Sequence, residues 1–231
     1  METLKLNGDG ELRIARTEMD VPHKSGIITF GLPLVGPGAY QDVMGGITKD
    51  NLLRPTTAQK LSLVYLALQN SDEENCKTII SRFKDDYLWT CTKNDHNKDS
   101  NEIVVYDDIN GDMPSDRETL IKRFKDGDEA IRVVPYGFKT GEQSISEMVK
   151  NSYLIAQIGD KDFAEDIVVK ISKLLKRDRG YVFALEKPTN AKMYTAVNSD
   201  WNDDWLYIYG DCGDSDNGGC ASGIALPLRQ N

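Results

Sequence analysis

The sequence predicts an α+β fold: a mixed, largely antiparallel sheet finished by a C-terminal β-meander, packed around a central buried helix at residues 57–69 and three to four further helices. Three observations predict it. The stretch TAQKLSLVYLALQ places Ala58, Leu61, Val64, Tyr65 and Leu68 at helical spacing, and Leu63, Leu66 and Ala67 fill most of the opposite side. Only Gln59, Ser62 and Gln69 form a polar stripe, and a helix apolar over most of its girth must be covered on several sides. Short apolar runs separated by turn residues supply the strands. Capping signatures open the remaining helices: Ser71–Glu74, Ser115–Glu118 and Ser144–Glu147 all read S-x-x-E, and Asp160 precedes an apolar-periodic run.

A chain of 231 residues is expected to form a single domain, 1–231; the alternative is a division near 150, into helix/strand units 1–150 and a βα unit plus meander 151–231. Its 39% apolar and 28% charged residues suit a globular chain rather than a disordered one. A formal charge of −9 sets up repulsion with phosphate backbones, and the lysines and arginines are scattered, so nucleic acid is not expected as a partner. The opening METLKLNGDGEL has neither a basic region nor an apolar run, which gives a cytoplasmic, membrane-free expectation. Cys76, Cys91, Cys212 and Cys220 are too few for a disulfide scaffold, so free thiols are expected, with a reversible Cys212–Cys220 bond as the alternative.

In chain order, Asn7–Gly10 (NGDG) is a turn between strands 3–6 and 11–15, and residues 27–30 read as a buried strand. The segment GLPLVGPGAYQDVMGG, 31–46, mixes glycine and proline with Leu32, Leu34, Val35, Tyr40, Val43 and Met44. It predicts an irregular loop packed against the protein. Thr56 is the expected N-cap of the central helix. Next come a helix with Cys76, Ile79, Ile80 and Phe83 on one face, and paired strands at 87–92 and 102–106 around a polar hairpin tip, KNDHNKDSN. A helix bearing Leu120, Ile121 and Phe124, a strand at 130–134 and a short helix to about 150 follow. Residues 153–158 read as a strand. The helix after Asp160, stopped by Gly180, and the strand 181–186 would complete a βαβ crossover with it. Strands at 192–197, 205–209 and 221–228 form the expected meander. The capped helices at Ser71 and Ser115, each followed by a strand, share enough residues to suggest a degenerate repeat, but shared capping grammar is the simpler explanation.

Candidate chemistry is thin. Gly36-Pro37-Gly38-Ala39-Tyr40-Gln41 has two of the three glycines of a dinucleotide fingerprint, and Gln41 replaces the third. Ser81–Lys84 and Lys139-Thr140-Gly141 match S-x-x-K and K-T-G elements of penicillin-recognising serine enzymes, but S-D-N is absent and Ser81 falls late in its helix. His23 could reach Cys76 or Cys91 as a nucleophilic pair, although a thiol on an apolar helix face or in a strand is usually inert. Neither Asp108–Asp112 nor the Asp211–Asn217 loop has EF-hand spacing, and solvated turns are the simpler reading of both. No cofactor and no metal are therefore expected.

Alternation along 205–209 puts Trp205, Tyr207 and Tyr209 on one sheet face and Leu206 and Ile208 on the other. The functional expectation is a non-catalytic binding or regulatory protein. Its contact surfaces are the glycine-rich segment, through Gly36, Gly38 and Tyr40, and the face of Trp205, Tyr207 and Tyr209. The expected partner is a protein or a small-molecule ligand. The alternative is a small-substrate hydrolase, with carboxylates and His23 in a cleft beside the glycine-rich segment, where Lys24, Lys49 and Arg54 could receive an acidic ligand.

Overall fold

The computed structural model describes residues 3–13, 18–199, 205–213, 216 and 218–225. A four-stranded antiparallel sheet opens the chain, with β1 (Thr3–Lys5), β2 (Glu11–Arg13), β3 (Glu18–His23) and β4 (Gly26–Gly31) in sequential order. Then come β5 (Val35–Gly38), α1 (Tyr40–Lys49), α2 (Thr57–Gln69), α3 (Glu74–Asp85), β6 (Tyr87–His96), β7 (Glu102–Asp107), α4 (Arg117–Lys125) and β8 (Ile131–Pro135). β9 (Gly141–Ser144), α5 (Ile145–Met148), α6 (Ser152–Ile158), α7 (Lys161–Leu175), β10 (Arg179–Phe183), β11 (Ala191–Ser199), β12 (Leu206–Cys212) and β13 (Gly219–Ala221) complete the described chain. The fold is α+β and the strand pairing mostly antiparallel, as expected. Six described helices accompany α2 rather than three or four.

The larger sheet has the order β5-β13-β6-β11-β12-β10-β9, and β7 and β8 extend it from β6. Its strands come from both sides of residue 150. The end of the chain is more crossed than a meander. β11 and β12 are antiparallel neighbours, but β10 lies beyond β12 and runs parallel to it, while β13 runs parallel to β6. Alternation within each strand is blind to which neighbour it joins, so the order could not be read from the pattern.

α2 occupies the central place its composition demands. Ala58, Leu61 and Val64 join the core under the larger sheet with Ile171, Val182 and Ile208. Leu63, Leu66 and Ala67 face Met19, Val21 and Phe30 of the smaller sheet. Each fully buried leucine stabilises by roughly 1.5–3 kcal/mol, so two opposed apolar faces hold the sheets to one helix. Thr56 and Gln59 form the capping box at its start. Behind them Thr57 Oγ1 bonds Thr92 Oγ1 at 3.0 Å, Thr92 Oγ1 donates to Asp107 at 2.6 Å, and Arg132 closes on Asp107 at 2.5 Å.

Several local expectations are corrected. Residues 152–158 are helical rather than a strand: Asn151 Oδ1 accepts from the Tyr153 and Leu154 amides, and Gly159 ends the helix at φ 81°. A short run buried on all sides reads alike in either state. Gln157, buried here, donates to Asn94 at 2.5 Å and accepts from Thr195. The βαβ crossover is therefore replaced by the helix pair α6–α7. α7 stops at Lys176, in the left-handed region, and Gly180 lies inside β10 against Met148. Glu73 and Asp116, not Ser71 and Ser115, cap α3 and α4, each accepting from the amide three residues on. The polar hairpin tip is shorter than expected, because β6 runs on to His96 and buries Asn94, Asp95 and His96. The segment 31–46 is not one loop: 35–38 is an edge strand and Tyr40 opens α1, which carries Gly45 and Gly46 in its interior. Leu32–Pro33 and Gly36–Pro37 are cis. Ile14, Ala15 and residues 226–228, given to strands above, lie outside the described residues.

Candidate functional site

β10 and β12 pair in parallel with Tyr181 opposite Tyr207 and Phe183 opposite Tyr209. That register builds a ladder of rings on one face of the larger sheet, while Val182, Leu206 and Ile208 point into the helix-covered core. Phe183 and Tyr209 stack with centroids 4.4 Å apart and planes 4° from parallel. Tyr181 stacks on Phe183 at 4.1 Å, and Tyr207 stands 5.9 Å from Tyr181. Trp205 extends the row at 6.4 Å from Tyr207.

The run continues towards the glycine-rich segment. Tyr87 of β6 meets Tyr209 edge-on at 5.2 Å and lies 5.9 Å from Trp89. Tyr40 packs edge-on against Trp89 and stacks on Tyr194 at 3.8 Å. Nine rings thus form one contact chain, and the two predicted contact regions share one sheet face. Trp205, Tyr209, Tyr181, Phe183 and Tyr87 are half-buried and Tyr207 is buried at 8% exposure. Tyr181 and Phe183 belong to a late cluster of aromatics in the sequence but, like Tyr87, are not among the contact residues expected from it, although period-two alternation in Tyr181–Phe183 and Tyr87–Trp89 carries the same signal as Trp205–Tyr209.

The glycine positions follow from close packing. Gly36 is exposed at φ 111°, where a Cβ would stand 2.7 Å from the Gly219 carbonyl oxygen. Gly38, half-buried, pairs with Gly219, and its carbonyl accepts from Trp89 Nε1 at 3.1 Å. Tyr40 has no exposed surface, so its part in any contact is to support the face from beneath. Its hydroxyl is buried without a hydrogen-bond partner, and burial raises its pKa well above the ordinary tyrosine value. Tyr40→Phe is therefore expected to leave stability unchanged or raise it by about 1 kcal/mol, because an unsatisfied buried hydroxyl costs free energy. Denaturant unfolding of the variant checks this; a loss of stability would show that the hydroxyl is satisfied in solution.

Acidic residues follow the row in sequence. Asp211 lies two residues beyond Tyr209 on β12, past a register shift against β11, and burial, with a smaller contribution from Asp216, raises its pKa. Asp216 accepts from the Gly213 amide at 2.8 Å. Asp214, Ser215 and Asn217 of that loop lie outside the described residues. Among the described residues no three His, Cys, Asp or Glu side chains gather as a metal site.

The other candidates take structural places. Asp108 is buried between Lys93 Nζ at 2.6 Å and Arg54 Nη1 at 3.3 Å, and accepts from the Met113 amide, so its lone pairs are already engaged. Lys139 pairs with Glu147, Thr140 bonds Glu186, and Ser81 bonds Asp85, which does not assemble a serine–lysine site. All four cysteines are unbonded and buried, and burial pushes each thiol up, Cys76 to about 12. His23 Nδ1 lies 2.9 Å from Ser62 Oγ, not beside a thiol. Burial, then Lys24, lowers its pKa to about 4. Ser62 Oγ donates to the Ala58 carbonyl one turn earlier. His96, placed above in a solvated tip, is buried against the Tyr136 hydroxyl at 2.8 Å.

No protein-family model and no curated protein matches the sequence. A solved structure described as "Accommodation of massive sequence variation in Nanoarchaeota by the C-type lectin fold" superposes with a TM-score of 0.55. The match covers 83% of this chain and 95% of that one at 12% identity. The fold is C-type lectin-like. At that identity the likeness is one of fold alone. Among the described residues, no helix is long and apolar enough to cross a membrane.

Proposed function

We propose that the chain is a non-catalytic binding module whose contact surface is the aromatic face of the larger sheet, flanked by Gly36 and Gly38. The carrying observation is the stacked row Trp205–Tyr207–Tyr209 with Tyr181 and Phe183, where four of the five rings keep exposed surface. Aligned rings offer wide contact area at little conformational cost, and their faces attract cations. The net charge of −9, with Asp211 two residues beyond Tyr209 on β12, favours the same partners. The partner class is therefore a protein or peptide segment presenting arginine or lysine among apolar side chains. The neighbouring structure, described as a C-type lectin fold that accommodates massive sequence variation, is compatible with a non-catalytic binding module. His23 meets Ser62 rather than a thiol, and the nearby Asp160 is engaged by Lys24 and the Phe163 amide, so the hydrolase reading has less support.

Amide-detected NMR titration with a hexa-arginine peptide and a hexa-glutamate peptide tests this. The arginine peptide is expected to shift the amides of 181–183 and 205–211, and the glutamate peptide is not. Trp205→Ala or Asp211→Asn should each weaken the arginine response roughly threefold. Shifts confined to other surfaces, or equal affinity in both variants, would overturn the assignment.

A further inference from the structure

Away from the aromatic face, β3, α2 and α7 enclose a cleft of about 300 Å³. That is the lower end of the range used for small molecules, about 300–1,000 Å³. Its walls combine Leu66, Ile167 and the rings of Tyr65 and Phe163 with the polar side chains of Ser62, Gln69 and Asp166. Two ammonium groups stand at this cleft, from different elements. Lys24 Nζ lies 5.8 Å from the Phe163 ring centroid, and Lys170 Nζ lies 5.7 Å from that of Tyr65.

We propose that this cleft binds a small amphipathic anion, a carboxylate on a flat apolar body with a hydroxyl beside it. Lys24 and Lys170 would receive the carboxylate. Each now holds one carboxylate, Asp160 at 3.1 Å and Asp166 at 2.7 Å, and each lysine is close to half exposed. Exposed pairs of this kind add little to stability, so a lysine turns to a ligand at little cost. Asp160 stays occupied without Lys24, because its other oxygen caps α7 through the Phe163 amide at 2.9 Å. An anion therefore enters beside two cations whose present partners hold them weakly. Tyr65 and Phe163 suit a flat body between them.

The hydroxyl follows from Gln69. Its Nε2 donates to the Tyr65 hydroxyl at 3.0 Å, while its Oε1 is buried without a partner against Gly8, and a turn of the Gln69 amide would bring that acceptor to the cleft that Gln69 lines. A buried acceptor left open costs free energy that a ligand donor recovers. Nothing in this inference depends on the aromatic face, whose expected partner has the opposite charge.

Titration of the whole chain with 3-phenyllactate, 3-phenylpropionate and 3-phenylpropanol, followed at the amides of 65, 66 and 167, tests the proposal. Phenyllactate is expected to bind roughly threefold tighter than phenylpropionate, and phenylpropionate about tenfold tighter than the alcohol. The double variant Lys24→Met/Lys170→Met should lose about tenfold for both anions and leave the alcohol unchanged. The double arginine variant should retain anion binding, which separates loss of charge from loss of fold. Failure of both anions to perturb the cleft, equal binding of the alcohol, or undiminished binding in the methionine variant would each overturn it. If the methionine variant does not fold, the ranking of the three probes on the native chain decides.

Discussion

Lys60→Met is expected to raise the unfolding free energy by about 2–4 kcal/mol at pH 6, and to remove much of the pH dependence of stability above neutrality. Lys60 is fully buried in the middle of α2. Its ammonium has Ser222 Oγ at 3.1 Å and the Phe30 ring 5.6 Å away, with no salt-bridge partner. Burial lowers its pKa from 10.5 to about 7, only partly opposed by Cys220 and Cys91. Between those two values the unfolded chain holds a proton that the folded chain has released. Stability therefore rises with pH across that window. Below about 7 the amine is charged in both states and the full cost of burying it is present; near 10.5 it is neutral in both and the cost is gone. Methionine fills a similar volume without the charge, and forfeits about 1 kcal/mol of hydrogen bonding to Ser222. Denaturant titrations at pH 6 and pH 9 on both proteins measure the difference. A variant less stable at pH 6, or two proteins with parallel pH dependence, would show that Lys60 is solvated in the folded state.

This lysine also marks how far the sequence could be read. The central place of α2 was legible because apolar residues surround it, yet Lys60 reads there like any residue beside a polar stripe. Only the tertiary neighbours, Phe30 and Ser222, show that it is enclosed. Caps at Thr56, Ser144 and Asp160 were legible because the interaction spans three residues. Residues 153–158 were misread because their burial on all sides erases the periodicity that separates helix from strand. The glycine-rich segment misled for another reason. Gly45 and Gly46 weaken a helix, but Tyr40, Val43, Met44 and Ile47 bury one side of it and override the propensity. Of the candidate site, the row Trp205–Tyr207–Tyr209 follows from alternation alone. Its union with Tyr181, Phe183 and Tyr87 depends on strand order, which is set by contacts between segments far apart in sequence. The lysine-flanked cleft was illegible for the same reason, since Lys24 and Lys170 line one cleft only when the turn after β3 and α7 pack beside α2.

The junction that brings the glycine-rich segment to the aromatic face gives the second large effect. Trp89→Ala should lower stability by about 3–5 kcal/mol, the range for truncating a fully buried aromatic. Trp89 has no exposed surface, touches the rings of Tyr40 and Tyr87, and donates from Nε1 to the Gly38 carbonyl. Gly38 in turn pairs with Gly219 across β5 and β13. A Cβ built on Gly219 would stand 2.1 Å from Trp89 Nε1, so Gly219→Ala in the native background forces the indole or β13 to move. Overpacking of this kind costs typically 1–3 kcal/mol. The two losses should not add. Once the indole is gone, the new methyl enters the space it left, and the double variant should be more stable than the sum of the single changes by about 1–3 kcal/mol. A double-mutant cycle in denaturant reads that coupling. Additive losses would mean that β13 does not rest on Trp89, and that the edge formed by Gly36 and Gly38 is positioned by something other than this indole.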